Sequence, residues 1–404
     1  MKTVVKGKWK RKIYFAGGKV LSVVNKWIPK DDKKILIFCK GPLYDNSETL
    51  FHYLVEHEYH KEYKIVCVVD QPERYKEYFE KNIKFVSLKG ALGTIFTAKY
   101  NFFHGEMLAI KPTKKQIWVN YWHGTPLKKI NHMLHKLGEY DYDFFTYLTA
   151  AEKKFMPIMA EAFNCNSNKV ILCGHPRNDY LFSKEDELKK LSIEKEKYQK
   201  IILWMPTYRK SRDGSIVDTK ENYLENGALP IFHSDEKVKE LNDFLKKNQS
   251  FLIVKFHPAQ DLKDFHYHDM SNIKFISNQY LIEHKIVLYK VVKDADCLIT
   301  DYSSIFFDYL LLDRPIGFTL EDMDSYEDNR GFVFENPLDY MPGEKIEDED
   351  DFKSFILNCL EGIDDYKKER AEVNEKVNHY KDGNNCKRLL EMIGLKKSEV
   401  GQIT

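Results

Sequence analysis

Residues 297–312 read Cys297-Leu298-Ile299-Thr300-Asp301-Tyr302-Ser303-Ser304-Ile305-Phe306-Phe307-Asp308-Tyr309-Leu310-Leu311-Leu312. An apolar run, a polar turn and an apolar helical pattern follow one another without a break. Cys297–Thr300 has the length and content of a strand covered on both faces, and 304–312 reads as the helix that follows it. The same alternation extends in both directions. Ile201–Met205, Phe251–Phe256, Ile273–Ile276 and Ile316–Phe318 read as further strands, with helices over 235–247, 281–294 and 350–361 and a charged helical tail over 364–396. Toward the N-terminus, Ile35–Cys39, Ile65–Val69, Phe85–Leu88, Phe102–Phe103, Ile117–Tyr121, Phe144–Leu148 and Val170–Cys173 read as strands. Helices are expected over 47–57, 72–81, 126–137 and 151–163. Strands alternating with helices predict doubly wound α/β sheets.

The alternation is interrupted at 183–199, SKEDELKKLSIEKEKYQ, which is charged and holds no buried strand. A chain of 404 residues suits two domains. The expected division is a basic segment over 1–34, one Rossmann-like domain over 35–182, and a second over 183–404 that includes the C-terminal helices. Two such domains are expected to face each other across a cleft. In open α/β sheets ligands sit beyond the carboxyl ends of the strands.

Charge excludes several classes. The 63 basic and 62 acidic residues nearly cancel, which argues against a disordered chain or one coated with basic charge for nucleic acid. No apolar run approaches the roughly 20 residues of a membrane-spanning helix. Seven scattered cysteines lack any C-x-x-C pair, and Cys39, Cys67 and Cys297 fall in strand-like runs, so they read as buried free thiols. One imbalance stands out. Residues 1–34 hold eleven Lys or Arg against Asp31 and Asp32, a local charge of +9, so the rest of a chain of net +1 carries −8. Between the lysines lie Tyr14, Phe15, Val20, Leu21, Val23, Val24 and Trp27. No A-x-A cleavage site follows, so this is not a signal peptide. It reads either as a helix lying in a membrane interface or as a helix packed on its own domain.

Polar residues cluster beyond five strand ends. His123 follows Ile117–Tyr121, and Gly124, Thr125, Pro126 and Lys128 continue into the expected helix, which Thr125 would cap. Gly174-His175-Pro176-Arg177-Asn178-Asp179 follows Val170–Cys173. There His175 and Arg177 either turn the chain or, for Arg177, reach a phosphate or carboxylate. Thr207 and Arg209 follow Ile201–Met205 and suit a phosphate. His257 and Pro258 close Phe251–Phe256, with His257 expected in the same topological place as His123. Asp301, Ser303 and Ser304 open the helix at 304–312, where one serine suffices for a cap and two favour an anion site. Arg330 lies in an irregular stretch downstream as another phosphate clamp. The chain holds no Walker A sequence, no G-x-G-x-x-G after a strand, no H-E-x-x-H, no G-x-S-x-G and no zinc spacing.

Together, W-H-G-T-P-L-K at 122–128, G-H-P-R-N-D at 174–179, M-P-T-Y-R at 205–209, K-F-H-P at 255–258, T-D-Y-S-S at 300–304 and F-D-Y-L at 307–310 resemble the CDP-glycerol glycerophosphotransferases. These are the teichoic acid primases and polymerases of Gram-positive cell walls. R-G-F at 330–332 and P-G at 342–343 continue the pattern, and the resemblance covers roughly 35–380. It implies a GT-B fold, with CDP-alditol bound by the second domain and the membrane and acceptor met by the first. The implied reaction transfers glycerol phosphate from CDP-glycerol to a hydroxyl of a lipid-linked saccharide or polymer, releasing CMP, at the cytoplasmic face of the cell membrane. Family polymerases often carry a long extra N-terminal region, so this length leans toward a primase or a compact polymerase. By resemblance and position His123 is the general base, and His257 hydrogen-bonds the diphosphate. Thr207, Arg209, Ser303, Ser304 and Arg330 hold phosphates, while Gly124, Thr125, Lys128, His175, Arg177 and Asp301 support them. No carboxylate pair or His/Asp cluster suggests a metal site, no cofactor is implied, and a Mg2+ requirement stays open. CDP-ribitol is the alternative donor, and a GT-B glycosyltransferase using a nucleotide sugar is the alternative enzyme. A membrane-surface scaffold is a third reading, against which the paired histidines speak.

Overall fold

A computed structural model describes residues 2–39, 41–78, 80–105, 109–134, 141–207, 229–257 and 268–398, with backbone alone for 2–12, 325 and 329. The chain divides into two compact units. One comprises Met1–Gly124, Asn131–Asp179 and Asp382–Thr404, the other Thr125–Ile130 and Tyr180–Lys381.

The first unit begins with α1 (Lys2–Trp27), β1 (Asp31–Phe38), α2 (Asp45–Glu56), β2 (Lys64–Val68), β3 (Ile83–Val86) and α3 (Leu88–Thr97). It continues with β4 (Ala98–Phe103), β5 (Ile117–Asn120), β6 (Tyr147–Ala150), α4 (Phe155–Ala162) and β7 (Val170–Leu172). Its strands form a parallel sheet in the order β3-β2-β1-β4-β5-β6-β7. The second unit holds β8 (Lys200–Met205), α5 (Asp235–Lys247), β9 (Ser250–Lys255), β10 (Ile273–Ile276), α6 (Asn278–Glu283), α7 (Leu288–Asp294) and β11 (Cys297–Thr300). After these come α8 (Ile305–Tyr309), β12 (Ile316–Thr319), α9 (Met323–Asn329), β13 (Glu344–Ile346), α10 (Glu349–Glu361) and α11 (Lys367–Val377). Its sheet is also parallel, ordered β10-β9-β8-β11-β12-β13. The doubly wound pattern therefore holds in both units. Strand order reverses between β1 and β4 in one and between β8 and β11 in the other, and such reversals are where ligand crevices open.

The strands are buried because their sequences are apolar on both faces. Ile35, Leu36 and Ile37 of β1 and Leu298 and Ile299 of β11 have no exposed surface. The last helix, α12 (Asn385–Met392), departs from the expected division. Cys386, Leu389, Leu390, Ile393 and Leu395 join the core formed by Ile35, Phe51 and Phe102, so the chain from Asp382 returns to the first unit. Burying such side chains is worth about 1.5–3 kcal/mol each, which fixes the tail where it packs.

Other departures have local causes. The helix expected over 126–137 does not form in the described part. Lys128 makes an antiparallel bridge with Phe332, the Lys129 N–H donates to the Gly331 carbonyl, and the Leu127 carbonyl accepts from Val333. The backbone thus finds partners across a strand-like pairing, and Thr125 caps no helix. The segment Pro72–Tyr78 is a 3-10 stretch kinked at Tyr75. The strand expected at 144–148 lies at Tyr147–Ala150. Helix α3 and strand β13 were not expected: two glycines weaken the helical pattern of α3, and β13 is only Glu-Lys-Ile. All seven cysteines are free, and Cys39, Cys67 and Cys297 are buried.

Helix α1 packs on its own unit, the second of the two readings of the basic segment. Phe15 stacks on Phe144, the Ser22 hydroxyl accepts from the Lys111 N–H, and Asn25 donates to the Lys111 carbonyl and to Gln116. Gly18 allows this approach, since a Cβ there would lie 1.9 Å from the Ala109 oxygen. Beyond Phe15 the inward face is thus small and polar, at Gly18, Ser22 and Asn25. Ile13, Val20, Val24 and Trp27 form an outward stripe, with Val20 64% and Trp27 84% exposed. Among the described residues no helix is long and apolar enough to cross a membrane.

Candidate functional site

In the first unit the chemistry gathers beyond β1, β4, β5 and β7. Tyr44, Asp45, Asn46 and Ser47 open α2 beside the reversal point. Asp45 sits at φ 57°, a left-handed conformation rare outside glycine and sustained here by its partners. Its carboxylate accepts two bonds from Arg177 Nη1, at 3.0 and 3.1 Å. Asn46 accepts the Arg177 N–H at 3.1 Å, which fixes the loop after β7 against α2. Burial alone would raise the Asp45 carboxyl. The Arg177 charge, with His104 and His123 behind it, outweighs burial and holds it below the usual carboxylate range. Arg177 therefore serves a protein carboxylate, one of the two roles read for it.

His104 follows β4 and is buried. Its Nε2 lies 2.8 Å from the Tyr44 hydroxyl and its Nδ1 3.3 Å from Ser47 Oγ, which in turn lies 3.1 Å from the Tyr121 hydroxyl. His123 follows β5, between Trp122 at φ 50° and Gly124 at φ 112°. Its ring centroid stands 5.2 Å from that of His104, at 60°. Crowding by protein, then His104 and Arg177, lower the His123 imidazole from its ordinary value to about 4, against an opposing pull from Asp45. The side chain keeps an exposed surface, and with its pKa lowered the ring is neutral at pH 7. His175 is buried, and its carbonyl accepts from Asn385. Asp179 accepts the N–H groups of Asn385 and Cys386 at the start of α12, at 2.8 Å each.

In the second unit the reversal point is bridged by a side chain. Thr207, after β8, donates its N–H and its hydroxyl to Asp301, after β11, at 2.8 and 2.9 Å, and both residues are buried. Ser303 and Ser304 follow, half-buried. Ser304 occupies the N-cap position of α8 but makes no side-chain cap bond, contrary to the capping expectation. His257 lies half-buried just past β9. Its place differs from that expected: β9 flanks β8 on the side away from β11, whereas β5 follows β4 beyond the other reversal, so the two histidines occupy non-equivalent strands. Arg209 falls outside the described residues.

A third cluster in this unit centres on Tyr326, which the sequence reading passed over. Tyr302 stacks on it at 4.2 Å and donates to Asp322 at 3.1 Å. Lys128 donates to the Tyr326 hydroxyl at 3.0 Å, and the Arg330 N–H donates to its carbonyl at 2.9 Å. Lys128 thus reaches the Tyr326 side chain, whereas Arg330 is tied to Tyr326 only through the backbone at the end of α9. Asp45, Asn46 and His104 were also missed. Their signal was positional, since each follows a strand that borders a reversal.

Two doubly wound parallel-sheet units are the components of a GT-B-like fold. A solved structure of the wall teichoic acid polymerase TagF is similar to this chain with a TM-score of 0.72 at 19% identity, covering 96% of this chain and 97% of that one, a likeness of fold. The family described as CDP-glycerol:poly(glycerophosphate) glycerophosphotransferase matches residues 21–395, and the chain belongs to it. It is a CDP-glycerol glycerophosphotransferase by class. A teichoic acid poly(glycerol phosphate) polymerase of Bacillus spizizenii is 32% identical over 76% of this chain and 79% of its own length. A teichoic acid glycerol-phosphate primase of Bacillus subtilis is 30% identical over 62% of this chain and 58% of its own. A teichoic acid glycerol-phosphate transferase of Staphylococcus aureus is 25% identical over 86% and 89%.

Proposed function

We propose that the enzyme moves glycerol phosphate from CDP-glycerol to a hydroxyl of a lipid-linked teichoic acid or related wall-polymer acceptor, releasing CMP. The acceptor oxygen bonds to the phosphorus bearing glycerol, the bond from that phosphorus to the CMP oxygen breaks, and the hydroxyl proton passes to His123. CMP is a good leaving group, so positioning and charge stabilisation carry most of the rate. The observation that carries this reading is His123: accessible, neutral at pH 7, and held beyond β5 by residues of rigid elements. His257 hydrogen-bonds the diphosphate and stabilises charge on departing CMP. Ser303, Ser304, Thr207, Arg209 and Arg330 contribute to holding phosphates, with Thr207 acting through its tie to Asp301.

Glycerol is favoured over ribitol because the glycerol-phosphate polymerase of Bacillus spizizenii is 32% identical, against 28% for the poly(ribitol-phosphate) polymerase from the same organism. CMP release assayed with CDP-glycerol, CDP-ribitol and UDP- and GDP-sugars tests the donor. CMP from CDP-glycerol alone is expected. Release from CDP-ribitol alone replaces the alditol, and sugar transfer without CMP release overturns the reaction.

The enzyme works at the cytoplasmic membrane face as a peripheral protein, attached through α1. Its outward stripe and its lysines suit an anionic lipid surface, and its inward face is already engaged with the first unit.

A further inference from the structure

The reading of His123 as base leaves a second imidazole unexplained. His104 follows β4, at the strand-order reversal of the first unit, and it is buried. Both its ring nitrogens are occupied, one by the Tyr44 hydroxyl at 2.8 Å and one by Ser47 at 3.3 Å. The Tyr44 ring meets it edge-on at 4.7 Å. With both nitrogens engaged by hydroxyls, His104 has no lone pair or proton to offer a substrate. Packing alone does not require such a residue, since an apolar ring would fill the space without any need for partners. A fully satisfied buried polar network specifies one geometry instead. This one runs from the start of α2 through the end of β4 to the Tyr121 hydroxyl, two residues before His123.

The next residue completes the arrangement. Gly105 stands at φ +70°, and a Cβ built there would lie 3.3 Å from His123 Nε2. Backbone without a side chain therefore borders Nε2 of His123, while the His104 ring stands at 60° to the His123 ring with centroids 5.2 Å apart. We propose that His104 is a positioning residue: its locked imidazole, with Gly105 beside it, is the wall that holds His123 in the orientation for proton removal. This rests on the reading of His123 as general base. The charged and titratable groups that act on His123 are His104, Asp45 and Arg177, from the loops after β4, β1 and β7. Burial and His104 both disfavour its protonated form. Removing the His104 ring relieves both effects, so His123 should become easier to protonate, toward an ordinary value near 6.5.

The test compares the full chain with His104→Ala, His104→Gln, Gly105→Ala and His123→Ala, in pH profiles of kcat and kcat/KM with CDP-glycerol. Alongside it, the His123 Cε1 signal is titrated by NMR in 13C-histidine-labelled protein, assigned by its loss in His123→Ala. Misplacing a reacting group by about 1 Å costs about 100-fold, so kcat should fall by about one to two powers of ten in His104→Ala. KM for the donor should hold, and both the acid limb and the NMR midpoint should move up. His104→Gln, which can still bond Tyr44, should fall between that variant and wild type. Gly105→Ala keeps the His104 side chain, adds a Cβ toward Nε2 and strains the backbone at φ +70°, so it should lower kcat. If His104→Ala does not fold, these two variants carry the test. Loss of activity in His123→Ala together with an unmoved acid limb and NMR midpoint in the His104 variants overturns this inference and leaves His104 a packing residue. Near-normal turnover of His123→Ala overturns the base reading itself.

Discussion

Oδ2 of Asp301 accepts both the backbone N–H and the hydroxyl of Thr207, at 2.8 and 2.9 Å. One carboxylate oxygen thus joins the ends of β8 and β11, the two strands between which the order of the second sheet reverses. The tie sets where the loop after β8 leaves the sheet. It also sets where Ser303 and Ser304 begin.

Removing that carboxylate should loosen both strand ends together. Asp301→Ala leaves two buried donors of Thr207 without this acceptor, at about 1–3 kcal/mol each. For a unit of this size each kcal/mol lowers Tm by roughly 2–4 °C. The expected result is a clear fall in Tm and a raised KM for CDP-glycerol, with Asp301→Asn intermediate. A normal KM in a destabilised Asp301→Ala protein would show that the tie does not shape the donor site.

Ser303 and Ser304 offer a cleaner separation of folding from binding. Ser304 makes no capping bond, so Ser303→Ala with Ser304→Ala should leave Tm nearly unchanged. Each lost bond to a charged diphosphate is worth about 1.5–3 kcal/mol, so affinity should fall by tenfold or more. Calorimetry with CDP-glycerol reads this directly. Unchanged affinity would remove the phosphate role from both hydroxyls.

The two sheets were legible in the sequence because parallel strands buried on both faces are short continuous apolar runs, as at Ile35–Cys39 and Cys297–Thr300. The elements that escaped lack that signature: β13 is Glu344-Lys345-Ile346, and the pairing of Lys128 with Phe332 joins segments far apart in sequence. Strand ends pointed to His123, Thr207 and Asp301, but not to what they touch. Asp45 and His104 matter through strand order, which only the folded sheet reveals. For the same reason the apparent equivalence of His123 and His257 did not survive. The fate of α12 was hidden because Leu389 and Leu390 specify that they are buried but not against which unit.

Asp179 should leave a signature in the pH dependence of stability. Burial raises its carboxyl from the ordinary value to about 6, despite the N–H groups of Cys386 and Asn385 that favour the charged form. Its unfolded value is near 3.9. Between about pH 4 and pH 6 the unfolded chain has lost this proton while the folded chain retains it, so stability declines as pH rises through that window. The slope from this group is at most about 1.4 kcal/mol per pH unit. Urea titrations across the window should show a flatter profile for Asp179→Asn. Equal slopes would mean that Asp179 ionises as an ordinary surface carboxylate.

His123→Ala and His257→Ala should each remove most turnover while leaving the fold intact. Loss of a general base costs about 10²–10⁴-fold. Because the two histidines follow non-equivalent strands, their losses should differ in kind. His123→Ala should lower kcat with little change in donor affinity, and His257→Ala should weaken binding of CDP-glycerol as well. Identical kinetic signatures would mean that the two share one role.

Helix α1 keeps an outward apolar stripe that the fold leaves uncovered, the surface proposed to meet lipid. Its inward face is committed to Ala109, Lys111 and Gln116, so an outward stripe of Ile13, Val20, Val24 and Trp27 cannot turn in without breaking those contacts. Residues 1–34 add a charge of +9, and each Lys or Arg near an anionic bilayer is worth about 1 kcal/mol within a Debye length. Salt should therefore weaken binding without abolishing it, because burial of the stripe is not screened. Val20→Asp with Val24→Asp changes only exposed positions and should leave Tm unaltered. Co-sedimentation with phosphatidylglycerol vesicles should show salt-resistant binding by the unaltered chain and none by this double variant. Vesicles of neutral lipid should bind both poorly. Equal binding of both proteins to the anionic vesicles would move the contact away from α1.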